Sequence, residues 1–363
     1  MKPRVAVVLS GYGVVERGAE SMLDELLPRL TPRFDLHLYS RSGAGPGGVA
    51  RPALSRSILE PLYGATRLGR KCLDTLHLDP IQIEWTTHLL ASLPSLVRGR
   101  YAVIWHETGF WGGMILGLLR RWTGVRLLDY AHSSHPGWEV PFARRRPDIL
   151  VTADPDLAAT IEREVPGQRV EIVPQGIDCD RFRPGLDPMD LDLEGPVAVY
   201  VGALSPEKSP ELAIEAIAAS GLAAVVAGSG PLSARVDELA RERLGPDRYR
   251  RLEVDRGEVP RLLAAADVLV LASPLESGAR VVLEAMACGR PVVTAADPVR
   301  RMLVDDAGIL VTEQTAAAYA AGIRRAIGTD WGGRPRQQAL RFSVERQAER
   351  LGDLIAELAM GDA

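Results

Sequence analysis

The chain has 363 residues, 46% hydrophobic and 25% charged, an ordinary globular composition that argues against a fibre or a disordered chain. At about 150 residues per domain this length predicts two domains. Its three cysteines (Cys72, Cys179, Cys288) fit neither a disulfide framework nor a zinc spacing, which points to a reducing cytoplasm. Residues 1–185 hold 23 Lys+Arg against 20 Asp+Glu and the remainder 20 against 27, so the net charge of −4 divides into +3 and −7. A nucleic-acid binder would be more basic, so no nucleic-acid partner is expected.

Short apolar runs alternate with amphipathic segments, the pattern of parallel sheets covered by helices. In chain order the first half predicts strands at Val5–Leu9, Leu36–Tyr39, Ala102–Trp105, Val125–Leu128, Ile149–Thr152 and Glu171–Val173. Helices are expected near Ala19–Leu30, Thr87–Val97, Gly113–Trp122 and Asp156–Glu164, the last with Asp156 as N-cap. Residues 184–196 (PGLDPMDLDLEGP) carry three prolines and read as a linker. The pattern then restarts, with strands at Val197–Val201, Ala223–Ala227, Val268–Leu271, Pro291–Thr294 and Ile309–Val311. Helices are expected near Pro210–Ala219, Leu232–Leu244, Val259–Ala266, Val281–Cys288 and Thr315–Ile327, with a last one at Val344–Ala359 after Ser343.

The fold expected is therefore α/β: two doubly wound, Rossmann-like domains facing each other across a ligand-binding cleft. The N-terminal domain spans 1–183, the linker 184–196 and the C-terminal domain 197–342. Residues 343–363 form a helix that packs back on the N-terminal domain. No apolar run reaches the roughly 20 residues of a membrane helix, and Val5–Leu9 is too short for a secretory signal. The expected location is the cytoplasm, with a peripheral contact at the inner membrane face through the N-terminal domain as an extension. Arg67–Lys71, Arg120–Arg121 and Arg144–Arg146 are the candidates for that contact, although a solvated surface is the plainer reading of each.

The richest segment is ASPLESGARVVLEAMACGRPVV, residues 272–293. Glu276 follows a strand and Glu284 lies in the helix after it. The amides near Ala279–Val281 open that helix and suit an anion. A carboxylate matches a vicinal diol, so two of them flanking an anion site fit a sugar at one end and a ribose at the other. Dipole complementation by Glu284 and a surface role for Glu276 explain the same spacing. Lys208 is one of only three lysines beside 40 arginines, and it sits just before a helix. A compact ammonium there suits a diphosphate oxygen. The acidic pairs Asp154/Asp156, Asp178/Asp180 and Asp190/Asp192 read as turn and cap chemistry, so no catalytic metal is expected. No GxGxxG follows the first strand, and no Walker lysine loop is present.

Several motifs in order, VPQGIDCDRF (173–182), VGALSPEKSPELAIEA (201–216), AGSGP (227–231), residues 262–293 and DDAGILV (305–311), resemble the donor half of a family 4 retaining glycosyltransferase of GT-B architecture. RGAES (17–21) is similar to the family's glycine loop, and Asp129-Tyr130-Ala131-His132 to its histidine loop. The resemblance implies a nucleoside-diphosphate-sugar donor (UDP or GDP), an acceptor that the sequence leaves unidentified, and no cofactor. It implies catalytic roles for His132, Glu276 and Lys208. Donor contacts are implied for Gly18, Lys208, Gly278, Ala279, Arg280, Val281 and Glu284. The chain departs from the family in two places. Gly202-Ala203-Leu204 stands where Gly-Arg-Leu is usual, and Gly278-Ala279 stands where Phe-Gly is usual. Arg280 is a stand-in for the missing guanidinium, or the partner of a nearby carboxylate. His106, His135, Trp111 and Trp138 are weaker candidates facing the acceptor. A nucleotide-sugar-binding subunit of low activity, and an epimerase or hydrolase, are the alternative functions.

Overall fold

The computed structural model describes residues 2–14, 18–63, 71, 73–107 and 109–361. The chain divides into two compact units, one of Met1–Pro174 with Gln347–Ala363 and the other of Gln175–Arg346.

The first unit is built on seven strands: β1 (Arg4–Val8), β2 (Asp35–Ser40), β3 (Val49–Ala50), β4 (Val103–His106), β5 (Arg126–Ala131), β6 (Ile149–Thr152) and β7 (Val170–Ile172). They order as β3-β2-β1-β4-β5-β6-β7, every pair parallel. Val5, Ala6, Val7 and Val8 are all buried because helices cover both faces of a parallel sheet. The helix Pro80–Gly99 begins earlier than the periodicity predicts. Asp79 caps it, accepting from the amides of Ile81 (2.9 Å) and Gln82 (3.1 Å), with Pro80 at the first position. The N-cap of Pro155–Glu164 is Asp154, not Asp156: its Oδ1 accepts from the amides of Asp156 (2.9 Å) and Leu157 (3.2 Å).

The second unit repeats the winding with β8 (Val197–Val201), β9 (Ala223–Ala227), β10 (Tyr249–Leu252), β11 (Val268–Leu271), β12 (Val292–Ala295) and β13 (Ile309–Val311). Their order is β10-β9-β8-β11-β12-β13, again all parallel. The strand order reverses between β8 and β11, the switch point beside which such sheets bind ligands at the carboxyl ends. The units divide at Pro174/Gln175 rather than at residue 183. Ile177 bonds Phe342 and Val344 through the backbone, and Cys179 and Phe182 join the core of the second unit. The region 184–196 holds no helix or strand.

Among the described residues no helix is long and apolar enough to cross a membrane. Of the basic stretch Arg67–Lys71, residues 67–70 lie outside the described residues, as does Cys72; Cys179 and Cys288 are buried free thiols.

Candidate active site

In the second unit, the switch point brings two sequence candidates together. The turn after β8 leads through Pro206–Lys208 into the helix Pro210–Ser220, and the loop after β11 carries Glu276 into the helix Arg280–Ala287. Because β8 and β11 are neighbours, both loops leave the same sheet edge. Lys208 Nζ donates to Glu276 Oε1 and Oε2, both at 2.8 Å. The pair is partly exposed, with 31% of the lysine side chain and 12% of the glutamate accessible. An ammonium beside a carboxylate at a sheet edge offers a cation to a phosphate and an acceptor to a hydroxyl.

The turns around this pair need glycine for backbone reasons. The β8 and β9 turns lie against each other, with Gly202 N bonded to Ala227 O and Leu204 N to Ser229 O. A Cβ on Gly228, at φ +149°, would come 1.9 Å from Gly202 O. Ala203 uses its carbonyl to accept from Tyr200 Oη at 2.9 Å.

Ala279 precedes the helix Arg280–Ala287 in the left-handed region (φ 43°, ψ 39°), and no side chain caps the first turn. Alanine in this region carries strain that a glycine would not. Gly278, in place of the usual Phe, is crowded: a Cβ would meet Gln175 Oε1 at 2.4 Å. Val281 is a first-turn residue of the same helix, and the amide of Val282 is already bonded to Ala279 O at 2.9 Å. Arg280 is buried, and its Nη1 donates to Gly176 O at 2.7 Å. Its Nη2 lies 3.9 Å from Glu284 Oε1, one turn on. The Arg280 guanidinium is thus bonded to the Gly176 carbonyl and lies beside the Glu284 carboxylate.

The first unit gathers a second cluster, at the carboxyl ends of β4 and β5. His132 Nε2 is bonded to Glu107 Oε1, and the imidazole stacks on Tyr130 with centroids 4.6 Å apart. Among the described residues its buried Nδ1 has no hydrogen-bond partner. Burial opposes the charged imidazole, but the carboxylate of Glu107, with Glu20 and Asp129 nearby, outweighs it and raises the His132 pKa. Asp129 is raised from 3.8 to about 7, first by burial and then by Glu107. Glu139 is pushed well above the ordinary range by burial and by Asp129, while accepting from Ser133 N. His106, 3.7 Å from Asp129, is held neutral by burial, its pKa down to about 4.

Gly18 opens the helix Gly18–Leu30; residues 15–17, including Arg17 of the glycine-loop motif, lie outside the described residues. Trp111 Nε1 donates to Leu76 O at 3.0 Å, and His135 packs obliquely on the exposed Trp138. The sequence reading missed Glu107, Asp129 and Glu139 around His132, and Ser273, Asp297 and Arg300 beneath Glu276. Glu107 follows His106 at a strand end, which is a usable signal. One arginine among 40 gives none. Among the described residues no group of three or more His, Cys, Asp or Glu is placed to hold a metal ion.

Residues 188–339 match the family described as Glycosyl transferases group 1. The chain is similar to a D-inositol 3-phosphate glycosyltransferase of Frankia alni, 32% identical over 209 residues, which is 49% of this chain and 46% of that one. It thus spans about half the length of that curated relative. In fold it is similar to sucrose-phosphate synthase from Thermosynechococcus elongatus, with a TM-score of 0.77 at 19% identity, covering 99% of this chain and 100% of the other. It is also similar to Anabaena HepE in complex with UDP, with a TM-score of 0.69 at 17% identity, covering 98% and 100%. These likenesses identify the two parallel-sheet domains as the GT-B fold.

Proposed function

We propose, from the premise that residues 188–339 are a group 1 glycosyltransferase segment carried on a GT-B fold, that the chain is a retaining glycosyltransferase using a nucleoside-diphosphate sugar. The observation that carries this reading is the Lys208–Glu276 pair at the switch-point edge of that segment. In the proposed reaction the bond from the anomeric carbon to the diphosphate breaks, and one to an acceptor hydroxyl forms on the same face. The acceptor's proton passes to the departing phosphate oxygen. Lys208 stabilises the charge that develops there, together with the amides of Ala279 and Val281. Glu276 and His132 are assigned to the sugar hydroxyls and Glu284 to the ribose, while Gly18 and Gly278 let the backbone approach the donor. No metal takes part, so EDTA leaves the rate unchanged; loss restored by Mn²⁺ or Mg²⁺ would overturn that part.

The UDP bound to the HepE neighbour supports UDP as the first nucleotide to try. The name of the inositol-phosphate relative supports a phosphorylated polyol among the first acceptors. The deciding experiment incubates the protein with UDP-, GDP- and ADP-sugars, with and without acceptors. Acceptor-dependent release of nucleotide is expected. Release or epimerisation without acceptor would favour a hydrolase or epimerase, and affinity without turnover a binding subunit. Ala203 and Gly278-Ala279 are the residues that favour the binding subunit as the second reading.

The N-terminal unit is further proposed to touch an anionic membrane face. Trp122 is 90% exposed at the end of the helix Gly109–Thr123, beside exposed Arg121 and Leu118. Co-sedimentation with phosphatidylglycerol vesicles, lost in Trp122→Ser, is the expected result; equal recovery with phosphatidylcholine would refute it.

A further inference from the structure

Arg300 is fully buried, 0% exposed, on the first turn of the helix Pro298–Val304. Its Nε and Nη2 reach Asp297 Oδ2 at 2.8 and 2.6 Å. Nη1 donates to Thr294 Oγ1 at 3.0 Å and to Ser273 Oγ at 3.2 Å, and Nη2 donates to Ser273 O at 2.7 Å. Asp297 spends Oδ1 on capping this helix through Arg300 N (2.7 Å) and Oδ2 on the backbone amide of Glu276 (3.0 Å). Ser273 Oγ lies 2.7 Å from Glu276 Oε1.

The donor inventory gives this network a direction. A guanidinium only donates, so Ser273 Oγ must accept from Arg300. Its single proton is then left for the Glu276 carboxylate. Glu276 is thus gripped twice from below, at its amide by Asp297 and at Oε1 by Ser273, while Lys208 holds both oxygens from the other side. Burying an arginine costs more than filling the same space with an apolar side chain, so packing alone does not account for Arg300.

We propose that Ser273, Asp297 and Arg300 are positioning residues that fix the pose of the Glu276 carboxylate. The proposal rests on the reading of Glu276 as the sugar contact. Ser273→Ala removes one hydroxyl and leaves the Arg300–Asp297 pair intact. It is expected to lower kcat roughly 10-fold, the loss of one hydrogen bond to a charged group, with nucleoside-diphosphate affinity within about twofold and Tm unchanged. In a Glu276→Ala background the same substitution should have no further effect, because nothing is left to position. An equal drop in both backgrounds, or wild-type kcat in Ser273→Ala, overturns the proposal. Asp297→Asn tests the backbone grip in the same way; should it fail to fold, Ser273→Ala still decides. If the wild type neither binds nucleoside diphosphates nor turns over their sugars, the functional reading fails instead. Crystal structures of wild type and Ser273→Ala then test the positioning alone: the Glu276 carboxylate, freed at Oε1, should change its orientation in the variant, and an unmoved Glu276 would refute it.

Discussion

At the scale of single residues the two candidate clusters differ in charge. Glu276 sits against an ammonium, whereas Asp129, Glu107 and Glu139 sit among one another beside the His132 imidazole. For Glu284 the prediction is that Glu284→Gln weakens UDP binding about tenfold by calorimetry, since an amide offers a diol one acceptor where the carboxylate offers two. Unchanged affinity would remove it from the ribose. Asp129 yields a prediction in pH. Its folded pKa of about 7 lies above the ordinary 3.8, through burial first and then Glu107. Its contribution to stability is therefore fully present below pH 3.8 and is lost as pH rises through about 7. Asp129→Asn cannot ionise, so the Tm of the variant minus that of wild type should grow from pH 4 to about pH 7 and level off above it. His106 faces Asp129 with the opposite slope, its pKa down to about 4, but it is present in both proteins and cancels in the difference. A Tm difference independent of pH would contradict the assignment. Of the three carboxylates only Glu107 leaves a signal in the sequence, by following His106 at a strand end; the burial of Asp129 and Glu139 depends on which strand ends lie side by side.

At the scale of elements, legibility follows how fully each segment is buried. β8, β9, β11 and β13 have the limits that their apolar runs predict, because strands covered on both faces are unbroken apolar sequence. β10, Tyr249–Leu252, gives no such signal: YRRL is an edge strand whose arginines turn to partners such as Asp192 and Asp237. The helix Pro136–Ala143 is equally hidden, since Pro136 and Pro141 both read as breakers, although a proline is at home in a first turn. In the site itself the helix Arg280–Ala287 was readable but its entry was not. Nothing in the sequence announces that Ala279 takes φ 43°. That strain leads to a prediction. Ala279→Gly relieves a left-handed alanine that costs about 1 kcal/mol and should raise the denaturation free energy by a comparable amount. A lower stability would mean that the buried Ala279 methyl group matters more than the backbone.

At the scale of the whole molecule the chain visits the first unit twice. It leaves at Pro174, builds the second unit, and returns at Gln347. The returning segment is the helix Val344–Met360, which alternates buried and charged positions at helical spacing. Leu351, Leu354 and Ile355 are fully buried. Gln347 Nε2 reaches Tyr130 Oη at 3.3 Å, the tyrosine on which His132 stacks. Asp353 pairs with Arg33 at 2.8 Å, and Glu357 pairs with Arg169. The last turns are therefore part of the core that carries the histidine cluster, although they are most distant from it in sequence. Leu354→Ala should cost about 2–5 kcal/mol, the range for a buried leucine cut to a methyl group, and the loss should fall on one unit. Native-state hydrogen exchange can locate it. Protection should fall across residues 1–174 and 347–361 while residues 175–346 keep theirs, and UDP affinity, read in the second unit, should stay at the wild-type value below the melting range. Loss of protection spread evenly over both units would mean that the helix serves the second unit as much as the first. A change confined to residues 347–361 would mean that it is an appendage, and the division of the chain into these two units would have to be redrawn.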